Sequence, residues 1–486
     1  MSLSTDSLNV LLISTYELGR QPFGLASPAA WLRRSGACVT CRDLAVDRLD
    51  LDEVRRAHLV AFYLPMHTAT RIAIRVLDKV RSTNPFAHLC AYGLYAPVNA
   101  SFLRAQGVET ILGGEFEEGL LSLFKRIRDS GRATSGRLSS PRGEAGTRSA
   151  SELGGTSSAD QPEPVISLAR QAFITPDRSD LPPLSKYAHL HLPDGSLRTV
   201  GYTEASRGCK HLCRHCPIVP VYQGRFRVVQ AEVVLEDIRR QVSMGAEHIT
   251  FGDPDFFNGP THAIRIVSAL HSEHPHLTYD VTIKVEHLVQ HAKYLDVLRD
   301  TGCAFVTTAV ESVDDSILAR LDKRHSRRNF IEVVELFKRL RLVLNPTFVA
   351  FTPWTTLAGY RDLLAAIAEL DLIEHVAPIQ LAIRLLIPAG SRLLELREVQ
   401  QLVGPFDGAA LVYPWVHADP RLDALQREVA SLVETASNSR ACRGDIFAET
   451  WERLHRCMNE CPRGLDATPV LADRCTIPYL TEPWYC

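Results

Sequence analysis

Apolar residues in the first 130 positions come in short unbroken runs, separated by stretches where they recur every three or four residues. The runs at 9–14, 37–42, 58–64, 88–92 and 110–112 have strand length. The stretches around 29–32, 69–81 and 116–128 have helical period. Strands alternating with helices in this way predict a parallel, doubly wound sheet. Ligands of such sheets lie beyond the carboxyl ends of the strands, so the loops 16–27, 65–68, 93–99 and 113–115 would line one site.

From 130 to 164 the pattern lapses into Ser, Gly, Arg, Thr and Glu, including Gly154-Gly155-Thr156-Ser157-Ser158, the composition of a flexible linker. Its arginines read as a solvated tether. Strand-then-helix order resumes at 165. Strands are predicted at 200–206, 248–252, 278–284, 304–310, 342–351 and 379–386, and helices at 231–244, 260–271, 289–299, 328–340 and 356–370. Six such repeats predict a partial (β/α)6 barrel, whose reactive groups gather where strands end. The fold class is therefore α/β: a doubly wound domain over 1–129, a linker over 130–164, a barrel over 165–394, and a mostly helical, then irregular extension over 395–486.

Composition narrows the setting. With 486 residues, 45% hydrophobic and 23% charged, the chain has the make-up of a soluble globular protein of more than one domain. A net charge of −2 gives no global field for nucleic acid. No apolar run approaches the roughly 18–20 residues of a membrane span. The first residues lack a signal-peptide pattern, so the expected compartment is the cytoplasm, where 12 cysteines serve as thiols or metal ligands rather than disulfides.

The densest chemistry is Gly208-Cys209-Lys210-His211-Leu212-Cys213-Arg214-His215-Cys216-Pro217. Three thiols spaced C-x3-C-x2-C on a loop after the first barrel strand suit one compact inorganic site, and thiolates favour iron–sulfur clusters or zinc. A four-iron cluster on three cysteines leaves one iron without a protein ligand. Zinc would instead close its tetrahedron with His211 or His215.

This motif at this place resembles the radical S-adenosylmethionine (SAM) superfamily. The resemblance implies a [4Fe-4S] cluster on Cys209, Cys213 and Cys216, with SAM chelating the open iron and being cleaved to a 5′-deoxyadenosyl radical. It places His215, where the family usually has an aromatic residue, against the adenine. It places the strand end Gly252-Asp253 at the methionine amino group. The fourth strand ends Val310-Glu311-Ser312, resembling the cobalamin-associated subgroup, which implies that Glu311 and Ser312 meet the ribose; Leu321-Asp322-Lys323-Arg324-His325 matches the same subgroup. Lys284, Arg384 and Trp354 lie at strand ends or within a strand, as further SAM or substrate contacts or as structural ion pairs and core.

By its βαβ order and Gly113-Gly114-Glu115, the first domain is similar to a Rossmann-like cobalamin (B12) binding domain. The loop after its first strand lacks the histidine that often ligates cobalamin from below, so cobalamin binding and a purely structural domain both stand. Cys457 and Cys461 could form half of an auxiliary cluster with Cys442 or Cys475. The ending Trp484-Tyr485-Cys486, with Gly252-Asp253-Pro254-Asp255-Phe256-Phe257, Lys284-Val285-Glu286-His287-Leu288 and Pro353-Trp354-Thr355-Thr356, resembles a bacterial radical SAM family named for its CUAEP or CCAEP tail. That likeness implies a redox-active Cys486 and a reading frame that continues past it. The function expected is radical SAM catalysis on an unknown small molecule or peptide, methyl transfer if cobalamin binds, with flavodoxin or ferredoxin as reductant and neither nucleic acid nor membrane as partner. The alternatives are a non-catalytic iron–sulfur or zinc protein in electron transfer, and a redox protein working through its tail cysteine.

Overall fold

A computed structural model of the protein describes residues 8–137, 162–439, 442–460 and 477–481. Most of the linker, together with Cys461, Cys475 and Cys486, lies outside these residues. The chain packs as two compact units, one of residues up to 15 with 24–181, the other of 16–23 with residues from 182 onward.

The first unit is built on strands β1 (Asn9–Ser14), β2 (Cys38–Asp43), β3 (Leu59–Tyr63), β4 (His88–Tyr92), β5 (Thr110–Gly114) and β6 (Ile166–Ser167). They lie all parallel in the order β2-β1-β3-β4-β5-β6. The central strands are apolar on both faces because helices cover both, as in β3, where all five residues are buried. One packed cluster runs from Val10 and Leu12 through Tyr92 to Phe124. The stretch 165–181, expected to open the barrel, packs here instead. β6 adds to β5, and Asp177 and Asp180 hold Arg33 at 2.8 and 2.7 Å.

In the second unit β7 (His189–His191) and β8 (Leu197–Thr203) form a hairpin, β9 (Ser206–Gly208) pairs with β10 (Phe226–Val228), and β11 (His248–Phe251), β12 (Thr278–Thr282), β13 (Cys303–Glu311) and β14 (Leu344–Phe348) follow. β8, β11, β12, β13 and β14 are parallel neighbours, and the two-residue β15 (Tyr479–Leu480) closes the far side of β7. The sheet is thus a half-barrel of five parallel strands. Where a sixth was expected, at 379–386, there is a 3-10 turn, Pro378–Leu381, and a single bridge from Phe351 to Arg384. Buried side-chain amides act in place of missing strands at both ends. Gln380 Oε1 accepts from Phe348 N (2.9 Å), and Gln241 accepts from Tyr202 N (2.8 Å) and donates to Tyr202 O (3.1 Å) beyond the end of β7. The helix expected at 289–299 is two short ones, Val285–Gln290 and Leu295–Asp300.

The C-terminal extension carries the helices Pro420–Ser439 and Arg443–Met458. Among the described residues no helix is long and apolar enough to cross a membrane.

Candidate active site

The three clustered cysteines follow β9 at the carboxyl side of the half-barrel. Entry to their loop requires glycine: Gly208 has φ +75°, and a Cβ there would lie 2.3 Å from the Tyr222 ring and 2.5 Å from Arg225 O. Asn258, fully buried, grips both sides of Cys209 by accepting from Lys210 N (3.1 Å) and donating to Gly208 O (3.3 Å). From below, Arg214 N donates to Leu321 O (2.9 Å), Arg392 donates to Leu212 O (2.8 Å) and Ser391 donates to Arg214 O (3.2 Å). The loop is therefore fixed at both ends before any ligand arrives. Cys213 is buried and the other two are partly so.

Burial, with mutual repulsion among the thiols, pushes Cys209 up to about 11 and Cys216 up to about 12. Neutral thiols in such a place call for a cation that replaces their protons. The buried ammonium of Lys323 is favoured by the charge of the Cys213 and Cys216 thiolates.

Lys323 Nζ lies 3.1 Å from Glu311 Oε1, and His215 Nε2 lies 3.1 Å from the same oxygen. Burial alone would raise the Glu311 carboxyl, but Lys323 and His215 prevail and hold it well below the usual range. Burial works against the Lys323 ammonium in the same way, and Glu311 keeps it raised. Glu311 itself sits at φ +69° on a bulge where the β13–β14 register shifts. A non-glycine residue held in that conformation marks a place where surrounding structure dictates backbone geometry. His215 Nδ1 and His325 Nδ1 are buried with no hydrogen-bond partner among the described residues, which leaves polar atoms for a ligand to meet.

On the other side of the loop, Asp255 Oδ2 is 2.7 Å from His287 Nδ1 and 3.4 Å from His211 Nε2, while Glu286 lies 3.1 Å from Lys284 Nζ and 3.4 Å from His211 Nδ1. Burial pushes Asp255 up, yet the two histidines outweigh it and leave it at about 2. Ligand atoms of Cys209, His211 and Asp255 come within 4.8 Å of one another.

Of the residues singled out in the sequence, Cys209, Cys213, Cys216, His215, Glu311 and Lys284 gather here. Others have different duties. The Asp253 carboxylate braces β9, accepting from Ala205 N (2.9 Å) and Ser206 Oγ (2.5 Å), and burial raises it to about 7. Gly252 makes room for Tyr202, whose hydroxyl would lie 1.8 Å from a Cβ. Ser312 Oγ accepts from Asp314 N (3.1 Å) in the turn that starts the next helix. Arg384 pairs with Asp423 (2.6 Å) and stacks 3.6 Å over Trp415, and Trp354 packs with Ile317 and Leu321 beneath Arg320. Cys442 caps the start of helix Arg443–Met458 and Cys457 lies near its end, about 22 Å away at 1.5 Å per residue, so one cluster cannot take both. Asn258 and Lys323 carry structural weight that spacing did not reveal. Lys323 stood inside a quoted motif and Asn258 just past one, but only contacts across the barrel give them a task.

Residues 203–351 match the family model of the Radical SAM superfamily. That stretch holds Cys209, Cys213 and Cys216 and carries the chain's likeness to the superfamily, a class of enzymes whose cofactors are a [4Fe-4S] cluster and SAM. Among relatives, it is 24% identical over 357 residues to hopanoid C-3 methylase of Methylococcus capsulatus, covering 71% of this chain and 64% of that one. It is 25% identical over 174 residues to tRNA-2-methylthio-N(6)-dimethylallyladenosine synthase of Clostridium botulinum, covering 34% of this chain and 38% of that one. The chain thus spans less than two thirds of these relatives. Its fold is similar to that of OxsB, a cobalamin-dependent SAM radical enzyme, with TM-score 0.68 and 14% identity over 93% of this chain and 71% of the other. The methyltransferase TsrM of Kitasatospora setae matches with TM-score 0.55 and 16% identity over 75% and 70%.

Proposed function

We propose that the protein is a cobalamin-dependent radical SAM methyltransferase, with Cys209, Cys213 and Cys216 as the cluster ligands. The observation that carries the reading is the pre-formed loop of three thiols, one buried and two partly so, at the carboxyl side of a half-barrel. Held by these three thiolates, a cluster would supply one-electron reducing chemistry toward SAM. The chain's own part is to hold and shield: Asn258, Arg392 and Ser391 fix the loop, Lys323 offsets thiolate charge, and His215 and Glu311 offer polar contacts to the nucleoside. Gly252 and Ser312 take part through backbone and turn geometry, and the charge of Lys284 favours the Cys209 thiolate.

Cobalamin in the first unit is supported by the named ligands of OxsB and TsrM. It is also supported by Ser14, at the carboxyl end of β1 next to the switch between β1 and β3, whose buried hydroxyl has no partner among the described residues. The substrate is a small molecule or peptide and the reductant a flavodoxin or ferredoxin. The tail residues and strand-end motifs support membership of the CUAEP/CCAEP group.

Anaerobic reconstitution with iron, sulfide and hydroxocobalamin, followed by reduction in the presence of SAM, tests the reading. Release of 5′-deoxyadenosine that Cys213→Ser abolishes is the expected result. A second reading, zinc on Cys209, His211 and Asp255, is favoured by the convergence of those three groups. Zinc at one per chain with no nucleoside product would establish it in place of the first.

A further inference from the structure

Alternation along the half-barrel sorts its side chains onto two faces. Thr203 of β8 bonds Asp237 on the helix Ala231–Ser243 (2.9 Å), and the Tyr279 hydroxyl of β12 donates to Leu298 O on the helix Leu295–Asp300 (3.3 Å). The residues between them in the alternation face the lumen. Its floor is apolar, made by Leu190, Val200 and Phe305, with His248 stacked on Phe305 at 6.3 Å between centroids. Above the floor the wall is polar. Strand register places Thr250 beside Asp280, then Thr282 beside Thr307 and Thr307 beside Asn345 in one lateral row, with Thr347 beside Ala309 above them. Thr307 and Ala309 keep partial exposure while Val306, Thr308 and Val310 are buried, so the open space is on the lumen side.

Two of these wall groups are left over by the fold: Asn345 Oδ1 and Thr347 Oγ1 are buried and have no hydrogen-bond partner among the described residues. Orphaned polar atoms destabilise a fold that has no other use for them. Charge is scarce and already engaged. Asp280 Oδ1 bonds His248 Nε2 (2.9 Å) and accepts from Thr250 Oγ1 (2.6 Å), Arg198 donates to Thr278 Oγ1 at the floor (2.9 Å), and Lys284 at the rim pairs with Glu286.

We infer that this wall binds an uncharged, hydroxyl-bearing substrate of the sugar type. The inference rests on the radical SAM reading and adds the substrate class. Threonine hydroxyls and a carboxamide each both donate and accept, as a substrate hydroxyl does. A phosphate or carboxylate would meet Asp280 with no free cation in these rows. An apolar polycycle would leave Asn345 and Thr347 unpaired.

Saturation-transfer NMR on the anaerobically reconstituted full chain, with methyl β-D-glucopyranoside, glucose 6-phosphate and methylcyclohexane as probes, tests it. The glucoside is expected to take up saturation well above the other two, and the double variant Asn345→Leu, Thr347→Val to weaken its binding at least about fivefold. Because both replacements are close in shape and remove orphaned groups, the variant should melt at the same temperature as wild type or higher. A lower midpoint would make the two side chains structural and overturn the inference. So would a glucoside signal that is absent, matched by methylcyclohexane or the phosphate, or unchanged in the variant. Glucoside binding by a wild-type protein that releases no 5′-deoxyadenosine would sink the radical reading and leave this one standing.

Discussion

Glu311 shows how one side chain can join two demands. Its left-handed backbone turns the end of β13 over the cysteine loop, and its carboxylate ties Lys323 and His215 together. Removing one member of such a buried pair strands the other charge. Lys323→Met is therefore expected to lower stability by about 3–5 kcal/mol, and Lys323→Arg by less, measured by urea unfolding. Asp253 makes a pH prediction of opposite sense to a usual carboxylate. Its pKa is raised by burial to about 7, so between the ordinary value of 3.8 and 7 the folded state binds more protons than the unfolded one. Stability from this group is then complete below about pH 4 and declines as pH rises through 7. Asp253→Asn keeps an acceptor for Ala205 N and loses that titration. Its melting temperature should gain on wild type steadily from pH 5 to pH 8, and parallel curves would refute the assignment.

At the scale of elements, the cysteine loop depends on contacts from segments far away in sequence. Asn258, about fifty positions on, holds both flanks of Cys209. Asn258→Leu leaves the buried Gly208 carbonyl unpaired, an expected loss of about 1–3 kcal/mol, and frees the partly buried Lys210 N–H as well, both concentrated at the loop. The measurable outcome is faster loss of iron to a chelator from the reconstituted variant, with far-UV circular dichroism unchanged. This is also where sequence reading ran short. The strands β11 to β14 and the cysteine loop were legible from hydrophobic runs and from C-x3-C-x2-C. The missing sixth strand was not, because 379–386 is apolar enough for a strand, while the choice between strand and turn fell to Gln380, which takes the edge N–H of Phe348 itself. Arg384 was left open between a ligand contact and a structural ion pair for a related reason: a guanidinium in an apolar run signals burial with a partner, and the sequence does not say that the partner is Asp423 in the extension rather than a ligand.

For the whole molecule, the division of the chain differs from its division in sequence. Residues 162–181, from the end of the expected linker onward, complete the first unit, through β6 on β5, Arg126 with Glu163 at 2.8 Å, Arg33 with Asp177 and Asp180, and Cys41 N donating to Asp180 at 2.8 Å. Conversely, 16–23 leaves the first domain after β1 to join the second unit, where Gly19 O accepts from Ala188 N and Arg20 lies 5.0 Å over the Tyr202 ring. A fragment of residues 1–181 should therefore melt several degrees above one of 1–164, since the shorter fragment leaves β5 with an open edge and Arg33 without its two carboxylates. Equal midpoints would show that the post-linker segment contributes nothing to the first unit.

The sequence by itself determined the α/β class, the strands β11 to β14 and the three thiols, because these follow from local periodicity and spacing along the chain. Only the tertiary structure decided which polar residues face the lumen, which carboxylates are braces, and where one unit ends and the next begins. Those are properties of strand register and of contacts between residues tens of positions apart, and the energy that selects them exists only once the chain has closed on itself.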